Sequence, residues 1–523
     1  MYNILAVDGI AAEGIEILKK DFNVEVHDKI SAEELINIIP KFDALIVRSA
    51  SKVTAEVLDA AKNLKIIGRA GVGVDNIDVK AATERGIIVI NSPDGNTIAA
   101  TEHTFAMMLA VSRNIPQANK TIHEGGWDRK KFVGVELRNK ILGVIGLGRI
   151  GAGVAKRAQA FEMSVVAYDP FVSEERAESL GVKLVELEEL FKTADFITVH
   201  MPLTKKTENM IALDQMKMMK PTVRLINCAR GGIINEADLA TALQEKIIAG
   251  AAIDVFTTEP IDKNSPLIHL PNIILTPHLG ASTIEAQIGV SVDVANGIVD
   301  ALSNKPVSTA VNMPHIPAHI LKKLTPYLDL AERLGKTITA LSKSPIANLQ
   351  VKVNGAIADG NSSLISTAVL TGVLAAALDA HVNLVNANIL AQDRGINLSE
   401  ITSKVAGDFS NTVTVSANGN SVTGTLFGNE GRIVLINNFR VDVDPHARIL
   451  ICPHINRPGV IGEVGTILAD YGINISSMQV GKTDVGGKNL MVLTVDNPIS
   501  RAVIDKVRSS EAIFDATLVA FED

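Results

Sequence analysis

Short aliphatic runs alternate with amphipathic stretches over the first half of the chain, and the two periods separate strand from helix. Up to about residue 95, Asn3 to Val7, Ala44 to Arg48, Lys65 to Gly68 and Ile87 to Asn91 read as strands with helices between them. That alternation predicts a parallel sheet joined by crossover helices. A longer series follows at Ile141 to Ile145, Ser164 to Tyr168, Asp195 to His200, Arg224 to Asn227, Ala249 to Asp254 and Ile273 to Leu275. Six strands in this order predict a complete doubly wound nucleotide-binding sheet. Pro306, Pro314 and Pro317 break the pattern between Lys305 and Pro317, so a linker is expected there and a new domain from about Ala318. Strands at Asn348 to Asn354, Thr412 to Ala417 and Arg432 to Ile436 give this middle part an α+β reading. From His446 the order is strand, helix, strand, strand, helix, strand, the βαββαβ signature of a ferredoxin-like module. The expected fold class is α/β, with doubly wound parallel sheets in two N-terminal domains, followed by the α+β middle domain and the ferredoxin-like module.

Composition narrows the possibilities. The 523 residues hold 50 lysines and arginines against 58 aspartates and glutamates, a net charge of −8 that offers nucleic acid or an anionic membrane no bulk attraction. Aromatics are only 4% while hydrophobic residues are 47%, so the cores are built from Ile, Val, Leu and Ala. Cys228 and Cys452 provide neither a disulfide framework nor a thiolate metal site, which suits a reducing cytoplasm. The N-terminus lacks the basic region and cleavage site of a signal peptide. The longest uncharged run, Asn361 to Leu378, carries serines, threonines and Gly372 and reads as a buried helix rather than a membrane span.

The sharpest local signal is Gly146-Leu147-Gly148-Arg149-Ile150-Gly151, directly after an apolar strand and opening a helix. Glycines there allow a tight turn and a close backbone approach, and the helix N-terminus offers free N–H groups to a pyrophosphate. Asp169 ends the next strand, where a carboxylate accepts from a ribose 2′-hydroxyl and repels a 2′-phosphate, so NAD is expected over NADP. Arg230, Glu259 and His278 fall at or just after strand ends, where open α/β sheets place their ligands. Arg230 in Asn-Cys-Ala-Arg-Gly-Gly is placed to clamp a carboxylate in bidentate fashion. His278 in Pro-His-Leu-Gly-Ala-Ser-Thr suits the proton acceptor that alcohol oxidation needs, with Glu259 as the carboxylate that holds its tautomer.

These motifs together resemble the D-isomer-specific 2-hydroxyacid dehydrogenases over about residues 1 to 310. The stretch from Ile67 to Asn76, Asn91 to Asn96 and Trp127-Asp128-Arg129-Lys130-Lys131-Phe132 resemble the members of that family that act on D-3-phosphoglycerate, and the C-terminal module resembles an ACT domain. The resemblance implies a substrate-binding domain at 1–95 and 285–310, an NAD-binding domain at 96–284, an intervening domain at 318–445 and a regulatory ACT domain at 446–523. It also implies NAD-dependent oxidation of D-3-phosphoglycerate to 3-phosphooxypyruvate, the first step of L-serine biosynthesis. His278 is then the general base, Glu259 its orienting partner and Arg230 the carboxylate clamp. Cofactor residues carry over as Gly146, Gly148, Arg149, Ile150, Gly151, Asp169, Cys228, Ala229, Asp254 and Gly280. Substrate residues carry over as Arg48, Arg69, Gly71, Gly73 and Asn96, with Arg129 reaching a neighbouring subunit of a homodimer or homotetramer. His454, Asn456 and Asn474 match a pattern that binds the effector L-serine between two ACT domains. No metal is expected, since a histidine base and a hydride acceptor need no Lewis acid. Another D-2-hydroxyacid dehydrogenase, or a hydroxypyruvate or glyoxylate reductase, would share the three catalytic residues but not the added domains and candidate phosphate cations. An NAD-sensing corepressor-like protein would need a peptide groove and a long disordered tail, and the chain carries neither signature.

Overall fold

Strands made almost wholly of Ile, Val, Leu and Ala cannot leave a face in water, and the first two sheets of this computed structural model are accordingly sandwiched between helices. The structure describes residues 1–520 except 304, 306, 315, 317, 360, 361, 377, 379–381, 406 and 483–486. Strands β1 (Asn3–Val7), β2 (Asn23–His27), β3 (Ala44–Val47), β4 (Ile66–Arg69) and β5 (Ile88–Asn91) form a parallel sheet in the order β2-β1-β3-β4-β5. β2 escapes the sequence reading because its Asn-Val-Glu-Val-His lies at a largely exposed edge and needs no hydrophobic run.

The second sheet holds β6 (Ile141–Ile145), β7 (Ser164–Tyr168), β8 (Lys183–Leu184), β9 (Phe196–Val199), β10 (Arg224–Asn227), β11 (Gly250–Ile253) and β12 (Ile273–Leu275). All pair in parallel in the order β12-β11-β10-β9-β6-β7-β8. The six expected strands are present, and β8 adds a two-residue edge too short to leave a pattern. Strand order reverses between β6 and β9 and between β1 and β3, the switch points where open α/β sheets bind ligands.

Two helices stitch the sheets together. Thr97–Arg113 follows β5 yet packs on helix Arg149–Ala160 and on β10 and β11, whereas Ile284–Leu302 follows β12 yet packs on helix Ala12–Lys19 and on β4 and β5. Small residues permit the second crossing: a Cβ on Gly68 would stand 2.3 Å from Val294 Cγ1. Where a linker is expected, Pro306 and Pro317 lie outside the described residues, and residues 307–312 are tied to the first sheet. Ala310 bridges Ile90, and the Asn312 side chain accepts from Val89 N–H and donates to the Ile87 carbonyl.

The third sheet contains β13 (Asn348–Gly355), β14 (Asn397–Ser403), β15 (Asn411–Ala417), β16 (Asn420–Phe427), β17 (Glu430–Ile436) and β18 (Phe439–Val443) in the order β14-β13-β15-β16-β17-β18. Only the β13–β14 pair is parallel. Helices Ala318–Leu341 and Ser362–Ala375 back it. The uncharged run is a buried helix as expected, although Asn361 lies outside the described residues. The fourth sheet, β19 (Arg448–Ile455), β20 (Ile475–Lys482), β21 (Lys488–Val495) and β22 (Thr517–Val519), is antiparallel in the ferredoxin-like order β20-β21-β19-β22; Phe521, the expected end of its last strand, lies outside the described residues. Ile449, Ile451, Leu490, Val492 and Val519 share one core with the third sheet, so these two units are packed as one body. No helix among the described residues is long and apolar enough to cross a membrane.

The two backing helices touch backbone to backbone. A Cβ on Gly372 would lie 1.9 Å from the Glu332 carbonyl oxygen, and one on Gly335 would lie 2.2 Å from the Val369 carbonyl oxygen. Gly372→Ala is therefore expected to destabilise the third unit by about 1–3 kcal/mol through overpacking. Scanning calorimetry would show this as a lowered transition for that unit, and an unchanged trace would contradict the close packing.

Candidate active site

His278 stands two residues beyond Thr276 at the end of β12, with φ +54°. A non-glycine residue in the left-handed region costs about 1–2 kcal/mol, so its surroundings must hold it there. Asp254 does much of this. Its carbonyl accepts from His278 N–H at 2.8 Å, and its carboxylate accepts from Leu279 N–H at 2.8 Å and Gly280 N–H at 2.9 Å. Burial pushes the Asp254 carboxyl up, but hydrogen bonds from His103, Thr276 and Leu279 outweigh it and leave the group below the usual carboxylate range. The imidazole Nδ1 of His278 is 2.7 Å from Glu259 Oε2, while Glu259 Oε1 accepts from Phe256 N–H at 3.1 Å. With Nδ1 occupied, Nε2 is the nitrogen left to exchange a proton with a group in the cleft.

The ends of β3, β4 and β10 bring Arg48, Arg69 and Arg230 close enough for the charges of Arg48 and Arg230 to act on Arg69. Burial first, and then the charges of Arg230 and Arg48, lower the Arg69 guanidinium to about 10, so it remains a cation at neutral pH under strong repulsion. Its Nε is buried with no hydrogen-bond partner. Among the described residues Arg48 and Arg69 form no ion pair, while Arg230 Nε meets Asp75 Oδ2 at 3.1 Å. The glycines of the loop after β4 leave room for the guanidiniums: a Cβ on Gly71, at φ +151°, would stand 1.5 Å from Arg69 Nη1, and one on Gly73 would stand 2.1 Å from Arg230 Nη2, so a side chain at either would make the arginine move. Asn96, at the start of helix Thr97–Arg113, has a buried Oδ1 without a partner. Arg129 lies on an exposed segment before the short turn Lys130–Phe132 and does not join this cluster within one chain.

The glycine turn after β6 fits a dinucleotide. Gly146 takes φ +94°, a Cβ on Gly151 would strike the Gly146 carbonyl at 2.0 Å, and Gly148 faces open space at the start of helix Arg149–Ala160. Both Asp169 oxygens are fixed by backbone, Oδ2 by Leu147 N–H at 2.8 Å and Oδ1 by Phe171 N–H at 2.9 Å, leaving a lone pair on each for ribose hydroxyls. Arg149 pairs with Asp94 at 2.7 Å, joining this loop to the segment after β5, and its neighbour Ile150 packs on the core of the second sheet. Ala229 N–H donates to Asn227 Oδ1, and its carbonyl accepts from Arg230 Nη1 at 2.7 Å. Cys228 Sγ lies with His103 Nε2 and the Asp254 carboxylate within 4.8 Å of one another, and burial, with Asp254 adding to it, pushes the thiol up to about 12.

The expected effector residues do not meet within one chain. In register His454 pairs with Asn489 and Ile475 with Val495, which puts His454 and Asn474 at opposite ends of the sheet. His454 is 3% exposed, donates through Nδ1 to the Ile455 carbonyl at 2.9 Å and keeps a buried, unpartnered Nε2. Asn456 is exposed, and the Asn474 amide donates to Asp496. His103, Thr276 and Asp75 were invisible to sequence reasoning: His103 and Thr276 act through Asp254, Asp75 acts through Arg230, and each link spans 20 or more residues.

Three family descriptions match the chain: the NAD-binding domain of D-isomer specific 2-hydroxyacid dehydrogenases over residues 105–280, the intervening domain of D-3-phosphoglycerate dehydrogenase over 323–437 and the ACT domain over 449–512. A D-3-phosphoglycerate dehydrogenase of Synechocystis is 46% identical over 99% of this chain and 95% of its own length. The enzyme of that name from Archaeoglobus fulgidus is 45% identical over 99% of both. Among solved structures, the D-lactate dehydrogenase of Aquifex aeolicus in complex with NAD and lactic acid is 28% identical, with a TM-score of 0.55, and covers 60% of this chain and all of its own.

Burial also pushes Cys452 up to about 12, so neither thiol ionises near neutral pH. An aromatic disulfide reagent at pH 8 is expected to leave both thiols unmodified in the native protein and to titrate both once urea unfolds it. A fast-reacting native thiol would contradict this.

Proposed function

This chain belongs to the D-3-phosphoglycerate dehydrogenase family and is an NAD-dependent dehydrogenase, and from that premise we propose that it oxidises D-3-phosphoglycerate to 3-phosphooxypyruvate as the entry to L-serine synthesis. The carrying observations are the cluster of Arg48, Arg69 and Arg230, which holds fewer carboxylates than guanidiniums, and the His278–Glu259 pair. A substrate with a carboxylate at one end and a phosphate at the other supplies the missing negative charge. Arg230 takes the carboxylate, with Asn96 and the amides around Gly71 and Gly73 at the same end. Arg48 and Arg69 take the phosphate, and Arg129 of a neighbouring subunit adds a further cation.

His278 Nε2 removes the hydroxyl proton, and Glu259 on Nδ1 fixes the tautomer and stabilises the imidazolium that results. Bound NAD+ supplies the hydride acceptor. Gly146, Gly148, Arg149, Ile150 and Gly151 hold its phosphates, Asp169 holds a ribose, and Cys228, Ala229, Asp254 and Gly280 line the nicotinamide end. Cys228 packs there as a neutral thiol rather than acting as a nucleophile.

The working unit is a homo-oligomer. Helix Ile115–His123 has no buried residue, and Ile115, Ile122, Trp127 and Val133 are each more than half exposed, an apolar face that a second copy covers. L-Serine is the effector, bound by His454 and Asn456 of one ACT domain and Asn474 of another, and the orphaned Nε2 of His454 supports this reading. Two thiols without a disulfide suit the cytoplasm.

NADH formation at 340 nm with D-3-phosphoglycerate, D-glycerate and D-lactate is expected to be confined to the phosphorylated acid, and preference for an unphosphorylated acid would remove the roles of Arg48, Arg69 and Arg129. His278→Ala is expected to lower kcat by about 10²–10⁴-fold while NAD binding persists. Millimolar L-serine is expected to slow the wild-type enzyme and to leave His454→Ala unaffected, and equal inhibition of both would move the effector site elsewhere.

A further inference from the structure

In the free chain the guanidinium proposed to hold the substrate carboxylate already carries one. Arg230 Nε lies 3.1 Å from Asp75 Oδ2, its only carboxylate partner among the described residues. The pair joins the two sheets that flank the cleft, Asp75 on the loop after β4 and Arg230 on the loop after β10. The partners differ in freedom. Arg230 is held by Nη1 on the Ala229 carbonyl and by its own carbonyl on the Asn227 amide, whereas the Asp75 side chain is 75% exposed and makes no other contact of this kind among the described residues.

We infer that Asp75 is a stand-in for the substrate carboxylate, occupying Arg230 in the empty cleft and yielding it when a carboxylate ligand binds. This rests on the reading of Arg230 as the carboxylate clamp. Asp75 touches neither substrate nor cofactor: it sets the affinity for substrate by competing for one guanidinium. Because every carboxylate ligand must displace it, its contribution is the same for phosphorylated and unphosphorylated acids, and it is smaller for ligands that carry phosphate alone. In the empty cleft it also moderates the repulsion among the three arginines, since its charge raises the Arg69 guanidinium that Arg230 and Arg48 lower.

Asp75→Asn removes the charge and keeps the shape. A half-exposed ion pair of this kind limits the effect to roughly two- to fivefold. The KM for D-3-phosphoglycerate is expected to fall by that factor with kcat unchanged, the pattern of altered ground-state binding. Inhibition by inorganic phosphate, which uses Arg48 and Arg69 only, is expected to tighten by clearly less than the KM falls, since Asp75 meets Arg230 directly and acts on Arg69 only through its charge. An unchanged or raised KM overturns the proposal, as does an equal tightening of inorganic phosphate, which would mark a general gain of positive charge instead. Asp75→Ala must act in the same direction, because an effect confined to Asn would reflect a new amide contact. If the wild-type enzyme prefers an unphosphorylated hydroxy acid, the phosphate reading fails. The KM for that acid then still decides the role of Asp75, since both readings need Arg230 for the carboxylate.

Discussion

The burial of one guanidinium, Arg69, beside two others is the constraint around which the cleft is arranged. Arg48, Arg69 and Arg230 arrive from three strand ends in two sheets, and Arg69 is buried deeply enough for its pKa to drop to about 10. A fold tolerates such a grouping only where something offsets it. The partial offsets within the chain are Asp75 on Arg230 and the more distant charge of Asp8, whose carboxylate is already engaged by Arg48 N–H and by Ser51. The remainder is left for an anionic ligand. Gly71 and Gly73 suit the same grouping, since the tips of Arg69 and Arg230 occupy the volume that their side chains would otherwise fill.

The chemistry opposite this cluster depends on a second, quieter device. Asp254 is fully buried, yet it links β11 to the backbone of His278, Leu279 and Gly280 and to the side chains of His103 and Thr276. Because its carboxyl is held below the usual range, this support is present at neutral pH and is lost as the pH falls through the folded-state value. A left-handed His278 on a loop braced by a buried carboxylate presents one nitrogen to Glu259 and the other to the cleft. The proposed proton acceptor and anion clamp are thus carried by separate elements, His278 after β12 and Arg230 after β10.

Most of the fold was legible because aliphatic strands and their crossover helices leave strong periods in sequence. β2, β8, β14 and β18 were not, since edge strands with short or largely polar sequences carry a weak hydrophobic signature, nor was β16, whose Asn-Ser-Val-Thr-Gly-Thr-Leu-Phe mixes polar residues with a glycine. At the site, His278, Glu259 and Arg230 stood out through the motifs around them, and the glycine turn with Asp169 through its spacing. Asp75 and His103 did not, because an ion pair between residues 155 apart and a hydrogen bond to a buried acid exist only after two sheets are assembled. The proposed effector residues show the opposite case: the pattern His454, Asn456, Asn474 is visible in sequence, yet a single chain keeps its ends apart.

The most direct measurement is the substrate dependence of Arg69→Gln. Losing a charged hydrogen-bonding partner of a phosphate costs about 1.5–3 kcal/mol, or roughly ten- to a hundredfold in KM. That loss is expected for D-3-phosphoglycerate, with little change in the inhibition constant of D-glycerate and in NAD binding. An equal loss for both acids, or none for the phosphorylated one, would contradict a cleft organised around a phosphate.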